Sequence, residues 1–430
     1  MLLYSTSDSG YQRSLEHCVM QSMAPGKGLY MPMTLPKLDE KFFREIKQLS
    51  FPELALALAK SMIGAVVDDT TLKAIIDRAF DFPVVLQPVS SAIDSLELWH
   101  GPSLAFKDFG ARFMAGLMSH YNQNNDQKLT ILVATSGDTG GAVAYGFLGV
   151  PGIEVIILYP SGKVSELQEK QLTTLGQNIT ACEIQGSFDD CQNLVKEAFT
   201  DADLNQKYRL SSANSINIAR LIPQSFYYFE AYRQWTGNGK WVCSVPSGNF
   251  GNLTAGLMAK QMGLPIHHFI AATNVNKVVP DYLESGEYEP RASVSTLSNA
   301  MDVGQPSNFV RMMALYHHSW PALKADLSGF WATDEETKAE MKRVFDNSGY
   351  VLDPHGAIGH MALRKYLETH GGSGFFLETA HPAKFLDTVE VALGQTIDIP
   401  ERLYELKDRK KEAVGLGTEF RPFKEFLLSR

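Results

Sequence analysis

The sequence predicts an α/β protein: two parallel-sheet α/β domains behind a mainly helical N-terminal extension. Three observations carry that prediction. Short apolar runs alternate with helical patterns from Leu96 onward. The alternation restarts after Asn217. Glycine-rich turns follow two of the strand-like runs directly, within 134–141 and 245–256. Strand–helix alternation of this kind reads as parallel strands joined by crossover helices.

Taken in order, residues 1–95 form the mainly helical extension. Residues 55–62 are rich in alanine and leucine, and 69–80 carry Leu72, Ile75, Ile76 and Ala79 on one helical face. Pro83 and Pro88 bracket a short apolar segment that marks the boundary. Residues 96–110 are assigned to the large domain, 111–212 to a small α/β domain and 213–430 to the large one. In the small domain, 129–134 (LTILVA), 153–159 (IEVIILY) and 179–184 read as buried strands. Helices are expected over 138–148, from Ser165 to about Leu175 with Gly176 as its stop, and onward from Ser187. In the large domain, 241–245, 269–272 and 374–377 read as strands, and 251–262 and 382–393 as helices. The stretch 280–330 is less regular, and the tail from Glu401 is charged and helical.

Composition narrows the function. A chain of 430 residues suffices for two or three domains. Its net charge of −9 argues against a nucleic-acid partner, because phosphate backbones need basic surface. Cys18, Cys182, Cys191 and Cys243 show no paired spacing and read as reduced residues of a cytoplasmic protein. MLLYSTSDSG lacks the pattern of a signal peptide, and no run of apolar residues suffices for a membrane span. Neither HExxH nor GxSxG occurs, and no metal is expected. A monomer or small homo-oligomer acting on a small molecule is the expectation.

Five segments carry chemistry. In HGPSLAFKDFG (100–110), Lys107 follows a Gly-Pro turn and lies between Phe106 and Phe109. Desolvation there favours the neutral amine that a Schiff base requires. ATSGDTGG (134–141) presents backbone N–H groups at a helix start, with Thr135, Ser136 and Thr139 as further donors, and suits an anion. The plain alternative is a tight turn capped by Asp138. VPSGNFGNLTAG (245–256) lets the backbone approach an anion at Gly248 and Gly251, flanked by Ser247, Asn249 and Asn252. It matches neither dinucleotide nor nucleoside-triphosphate fingerprints, so a single phosphomonoester fits better. ANSINIAR (213–220) offers Ser215, Asn217 and Arg220, or else an ordinary cap and a surface arginine. LETAHPAKF (377–385) ends a strand with Thr379 and leads into a helix begun by proline. His381 reads as structural.

With GLYMP (28–32), these motifs closely resemble the threonine synthase family, part of the fold-type II pyridoxal-phosphate enzymes related to tryptophan synthase β. The resemblance runs over nearly the whole chain. It implies that Lys107 holds pyridoxal 5'-phosphate as an internal aldimine. It places the cofactor's phosphate on Ser247, Gly248, Asn249, Phe250, Gly251 and Asn252, and the pyridine nitrogen at Thr379. The substrate carboxylate falls to Thr135, Ser136, Asp138 and Thr139, where Asp138 stands in a place taken by asparagine in many relatives. The implied reaction turns O-phospho-L-homoserine and water into L-threonine and phosphate. A second anion site is then needed, for which Lys163, Ser215, Asn217 and Arg220 are the candidates. A pyridoxal-phosphate-dependent serine/threonine dehydratase or β-replacement enzyme would share Lys107 and the glycine loop without needing Arg220 or Lys163. A non-catalytic anion-binding protein would need none of the lysine chemistry.

Overall fold

A computed structural model describes residues 1–430, with the side chains of Ala65 and Lys407 excepted. The chain opens with β1 (Leu2–Ser5), β2 (Asp8–Ser14) and β3 (Tyr30–Pro32), an antiparallel sheet in the order β2-β1-β3. The extension is mainly helical, as expected, and this small sheet is an addition to it. β2 reads DSGYQRS and is mostly solvated, so it shows no apolar alternation; backbone pairing to β1 holds it. The helices Phe51–Ile63 and Asp69–Ala79 follow as anticipated, begun by a Ser50–Glu53 capping box and by Asp68.

β4 (Val85–Pro88) and β5 (Ile93–Glu97) form an antiparallel pair, and β5 lies inside the large sheet. The boundary expected at 95 is thereby corrected to a point before Val85. The small sheet is built from β6 (Leu129–Ala134), β7 (Ile153–Pro160), β8 (Ile179–Ile184) and β9 (Arg209–Ser212). The large sheet is completed by β10 (Trp241–Pro246), β11 (His268–Thr273), β12 (Leu327–Trp331) and β13 (Ser373–Glu378), in the order β12-β11-β10-β13-β5-β4. β12 lies in the stretch read as irregular. It is a half-exposed edge strand and lacks an apolar run.

The last strand, β14 (Val414–Leu416), pairs with β8, giving the small sheet the order β14-β8-β7-β6-β9. Helix Phe420–Leu428 then drops Phe423 and Leu427 into the small domain's core beside Cys182, Cys191 and Leu194. The assignment of 213–430 wholly to the large domain is corrected accordingly. The tail's apolar stripe is buried only by returning to the small sheet.

Apart from β4, every strand of these two sheets runs parallel. Each sheet therefore presents its loops at the carboxyl ends of its strands, where such folds bind ligands. One core cluster joins the N-terminal helices to both domains. Phe109, fully buried, packs on Phe82 at 5.0 Å, Tyr227 at 5.4 Å and Phe51 at 6.0 Å between ring centroids. That aromatic anchor fixes the helix on which Lys107 stands. No helix among the described residues is long and apolar enough to cross a membrane.

Candidate active site

Lys107 is the first residue of helix Lys107–Asn122. The segment before it is tied to the large sheet: the Phe106 N–H donates to Thr379 O at 2.8 Å, and Ala105 bridges Ala380. Leu104 adopts a left-handed φ of 56°, a conformation that costs a leucine energy and that surrounding structure must impose. The Lys107 side chain is only 16% exposed, and its Nζ lies 5.0 Å from the centroid of the Phe106 ring. Burial draws the amine's pKa below the ordinary lysine range. Lys384 and Arg220 push in the same direction, and Asp138 opposes them.

Asp138 reaches this amine from the small domain. Its Oδ2 lies 3.5 Å from Lys107 Nζ. Its Oδ1 receives Lys384 Nζ at 2.6 Å and Gln168 Nε2 at 3.0 Å. Burial alone would raise this carboxyl. The neighbouring lysines and the hydrogen bonds from Lys384 and Gln168 outweigh burial and hold it well below the usual carboxylate range. Asp138 opens helix Asp138–Phe147, so the loop before it presents the unpaired N–H groups of a helix start. Gly137 enters that helix at φ 140°, and a Cβ there would meet the Gln168 amide at 2.7 Å. The Thr135 hydroxyl is spent inside the loop, accepting from the N–H groups of Gly137 at 3.0 Å and Gly140 at 2.8 Å. Ser136 and Thr139 are half-buried, and their hydroxyls have no partner among the described residues.

The second glycine loop leaves β10, next to β13 in the sheet. Phe250 takes the left-handed φ of 60° and caps helix Gly251–Gln261. The N–H groups of Gly248, Asn249 and Phe250 have no acceptor among the described residues. Side chains brace the loop from within and behind. Asn252 Nδ2 donates to Pro246 O at 2.8 Å, and Ser247 Oγ donates to Asn252 Oδ1 at 3.2 Å. Asn308 Nδ2 donates to Asn249 O at 2.9 Å. Asn249 Nδ2 donates to Ser215 Oγ at 2.5 Å, which joins this loop to the 213–220 segment.

That segment divides. Arg220 is buried and faces inward: its Nη1 donates to Ala213 O at 2.7 Å, while its Nε has no partner among the described residues. Burial lowers its pKa to about 10 although Asp108 pulls it up. Asn217 is not brought to the site. Its Nδ2 donates to Val19 O and Ser22 Oγ, each at 2.8 Å, and its Oδ1 takes the Ala219 N–H. Lys163 is exposed on the turn after β7 and forms no ion pair among the described residues. Thr379 is buried at the end of β13, and its hydroxyl takes no part in capping the next helix. His381 does that, accepting the Ala383 N–H at 3.0 Å. Burial beside Trp99 draws the His381 ring down to about 4.

Three further residues shape the site. Lys384 is fully buried and also donates to Ser103 O at 2.9 Å. Its only sequence signal is a lysine within an otherwise apolar run, AHPAKFL. Gln168 carries no signal beyond its place in a capping box. Arg311 is fully buried and braces the 213–220 segment and, through Asn308, the 247–252 loop, donating to Tyr30 O, Ser215 O, Ile216 O and Asn308 Oδ1.

These residues fit pyridoxal phosphate. A desolvated amine suits its aldehyde, and a cradle of free N–H groups at a helix start suits its phosphate. The Thr379 hydroxyl has no partner among the described residues.

Comparison with known proteins agrees. Residues 96–374 match the family of pyridoxal-phosphate dependent enzymes. Residues 3–80 match the threonine synthase N terminus, and 356–426 the threonine synthase C-terminal region. The chain is 45% identical to threonine synthase of Escherichia coli (strain K12) and 34% identical to that of Saccharomyces cerevisiae. The first alignment covers 100% of both chains, the second 93% of this chain and 91% of the yeast one. The crystal structure of threonine synthase from Escherichia coli superimposes with a TM-score of 0.93 at 44% identity, covering 100% of both chains. That of pyridoxal-phosphate-bound threonine synthase from Brucella melitensis gives 0.93 at 34%, covering 99% of this chain and 98% of that one. The chain therefore belongs to the threonine synthase family of pyridoxal-phosphate-dependent enzymes.

Proposed function

We propose that this protein converts O-phospho-L-homoserine and water into L-threonine and phosphate in the cytoplasm, as a monomer or small homo-oligomer. One observation carries the reading: a desolvated lysine amine faces a second anion-directed loop through the 3.5 Å contact of Lys107 with Asp138. A buried arginine with an uncommitted Nε lies close by.

When bound, pyridoxal phosphate supplies an electron sink conjugated to the substrate's α-carbon. The chain supplies binding, orientation and proton transfer. The N–H groups of Gly248, Asn249 and Phe250 would hold the cofactor's phosphate, and Thr379 Oγ1 would hydrogen-bond the ring nitrogen. A neutral hydroxyl does not enforce protonation there, which suits elimination and replacement better than transamination. The N–H groups around Ser136–Thr139, with those two hydroxyls, take the substrate carboxylate, while Thr135 keeps the loop in shape. Lys107 Nζ, lowered in basicity by burial, takes the proton from the α-carbon and delivers protons further along the substrate.

The Arg220 guanidinium binds the phosphate of the substrate and stabilises the charge of the leaving dianion, with Ser215 and Lys163 as further candidates. Two contacts support closure of the small domain on the large one, which excludes stray water. Gln171 Nε2 donates to Ser103 O at 3.1 Å, and Ser165 Oγ donates to Lys384 O at 3.3 Å.

The test measures phosphate and amino-acid products from O-phospho-L-homoserine, with O-phosphoserine and threonine as alternative substrates. Threonine and phosphate in equal amounts support the proposal. Faster conversion of threonine to a 2-oxoacid would replace it with the dehydratase reading.

A further inference from the structure

Lys384 is a buried cation to which the proposed chemistry gives no task. Its side chain is fully enclosed. Its ammonium meets two acceptors, Asp138 Oδ1 at 2.6 Å and Ser103 O at 2.9 Å. The other oxygen of the same carboxylate faces Lys107 Nζ at 3.5 Å. One carboxylate thus stands between two lysines, with Gln168 as its only other side-chain donor among the described residues. In a buried setting one negative charge balances one ammonium and not two. The distances decide which lysine holds the claim: Lys384 makes the short contact and Lys107 the long one.

Resting on the reading of Lys107 as the cofactor lysine, we propose that Lys384 is a positioning residue that keeps the Lys107 amine free of its proton by engaging the Asp138 carboxylate. An ammonium has no lone pair, so Lys107 can attack the cofactor only as the neutral amine. Every charged group near the amine fits this arrangement. Lys384 and Arg220, from two neighbouring helices, disfavour a third positive charge. Asp138 from the small domain is the carboxylate that would hold the proton, and Lys384 competes for it. Asp108, on the helix of Lys107 itself, is directed to the Ser103 N–H at 2.9 Å. The pair also crosses between domains, since Asp138 and Gln168 belong to the small one and Lys384 and Ser103 to the large one.

The test uses the full-length holoenzyme carrying Lys384→Gln, which keeps hydrogen-bonding capacity and removes the charge. Borohydride reduction and peptide mapping first locate the pyridoxyl group. A label away from Lys107 would defeat the underlying reading, whatever the titration gives. The absorption of the lysine-bound chromophore is then titrated with pH. An opposite charge within a few ångströms shifts a pKa by about 1–3 units, so freeing Asp138 should raise the titration midpoint by about that much. Lys384→Arg should restore the wild-type midpoint. In an Asp138→Asn background, Lys384→Gln should produce a much smaller rise.

An unmoved midpoint in folded, Lys107-labelled Lys384→Gln protein would overturn the proposal. Equal rises in both backgrounds would also overturn it, because Lys384 would then act without Asp138. Lys384→Met serves as a second, near-isosteric variant. If neither neutral variant folds while Lys384→Arg does, Lys384 is structural and the proposal fails.

Discussion

Adding one methyl group at position 248 asks which anion the second glycine loop is built for. An alanine Cβ there would lie 2.6 Å from Ala300 O, 2.7 Å from Met301 Cα and 3.2 Å from Val303 Cγ2. Favourable separations are about 3.5–4.0 Å, so something must give by about 1 Å. The two nearest atoms are backbone, and no rotamer change relieves them. The 299–301 segment is itself pinned, with the Ala300 N–H donating to His355 Nε2 at 3.3 Å. The displacement therefore falls on the 247–252 loop, and its N–H groups are moved off the phosphate. Overpacking of this kind costs about 1–3 kcal/mol. Felt at the cradle, that weakens cofactor binding by about five- to 150-fold. Absorbance titration of the cofactor-free Gly248→Ala protein with pyridoxal phosphate measures the loss, and circular dichroism checks the fold. A folded Gly248→Ala protein with wild-type cofactor affinity would refute the assignment of this loop to the phosphate.

The same geometry fixes three other outcomes. Arg220→Ala should leave the bound cofactor's spectrum intact and weaken turnover of O-phospho-L-homoserine. Loss of one charge-assisted contact is worth about 1.5–3 kcal/mol, or about ten- to 150-fold in kcat/KM; loss of cofactor with normal substrate handling would reverse the roles. Thr379→Val should shift the bound cofactor's absorption and lower activity with the fold retained, whereas Thr379→Ser should do neither. An unchanged spectrum in active Thr379→Val protein would remove the threonine from the ring. Asp108 supplies a pH dependence. Burial pushes its carboxyl from 3.8 to about 6, against the opposing Ser103 N–H, Lys384 and Arg112. A raised folded-state pKa means that the folded protein holds the proton more tightly, so this group's contribution to stability falls as pH rises from about 4 through 6. The shift corresponds to about 3 kcal/mol. Asp108→Asn should therefore gain stability relative to wild type between pH 4 and pH 7 in urea unfolding. An equal difference at both pH values would contradict that burial.

Much of this architecture is legible in sequence because buried parallel strands are apolar on both faces. LTILVA and IEVIILY need no context to be read. Elements stabilised from outside themselves are not legible. β2 is polar and held by β1, β12 is a half-exposed edge, and the tail helix after Glu419 reveals its destination only by packing on the small sheet. The site divides along the same line. Lys107 and the two glycine loops are announced by local patterns of strand, turn and helix start. Thr135 and Asn217 have the right donors, but the fold consumes them, one inside its own loop and the other against Val19 and Ser22. Lys384 shows the opposite failure. A lysine in a short helix reads as solvated, and only the approach of the two domains places it on Asp138.

The central claim is tested most directly by turnover of O-phospho-L-homoserine in water enriched in oxygen-18. If phosphate leaves by cleavage of its carbon–oxygen bond and water then adds to the substrate carbon chain, the label enters the hydroxyl of threonine. The phosphate released in equal amount carries none. That is the predicted result, with Lys107→Ala abolishing both products. Label in the phosphate, with homoserine as the other product, would mean attack at phosphorus and would contradict the account.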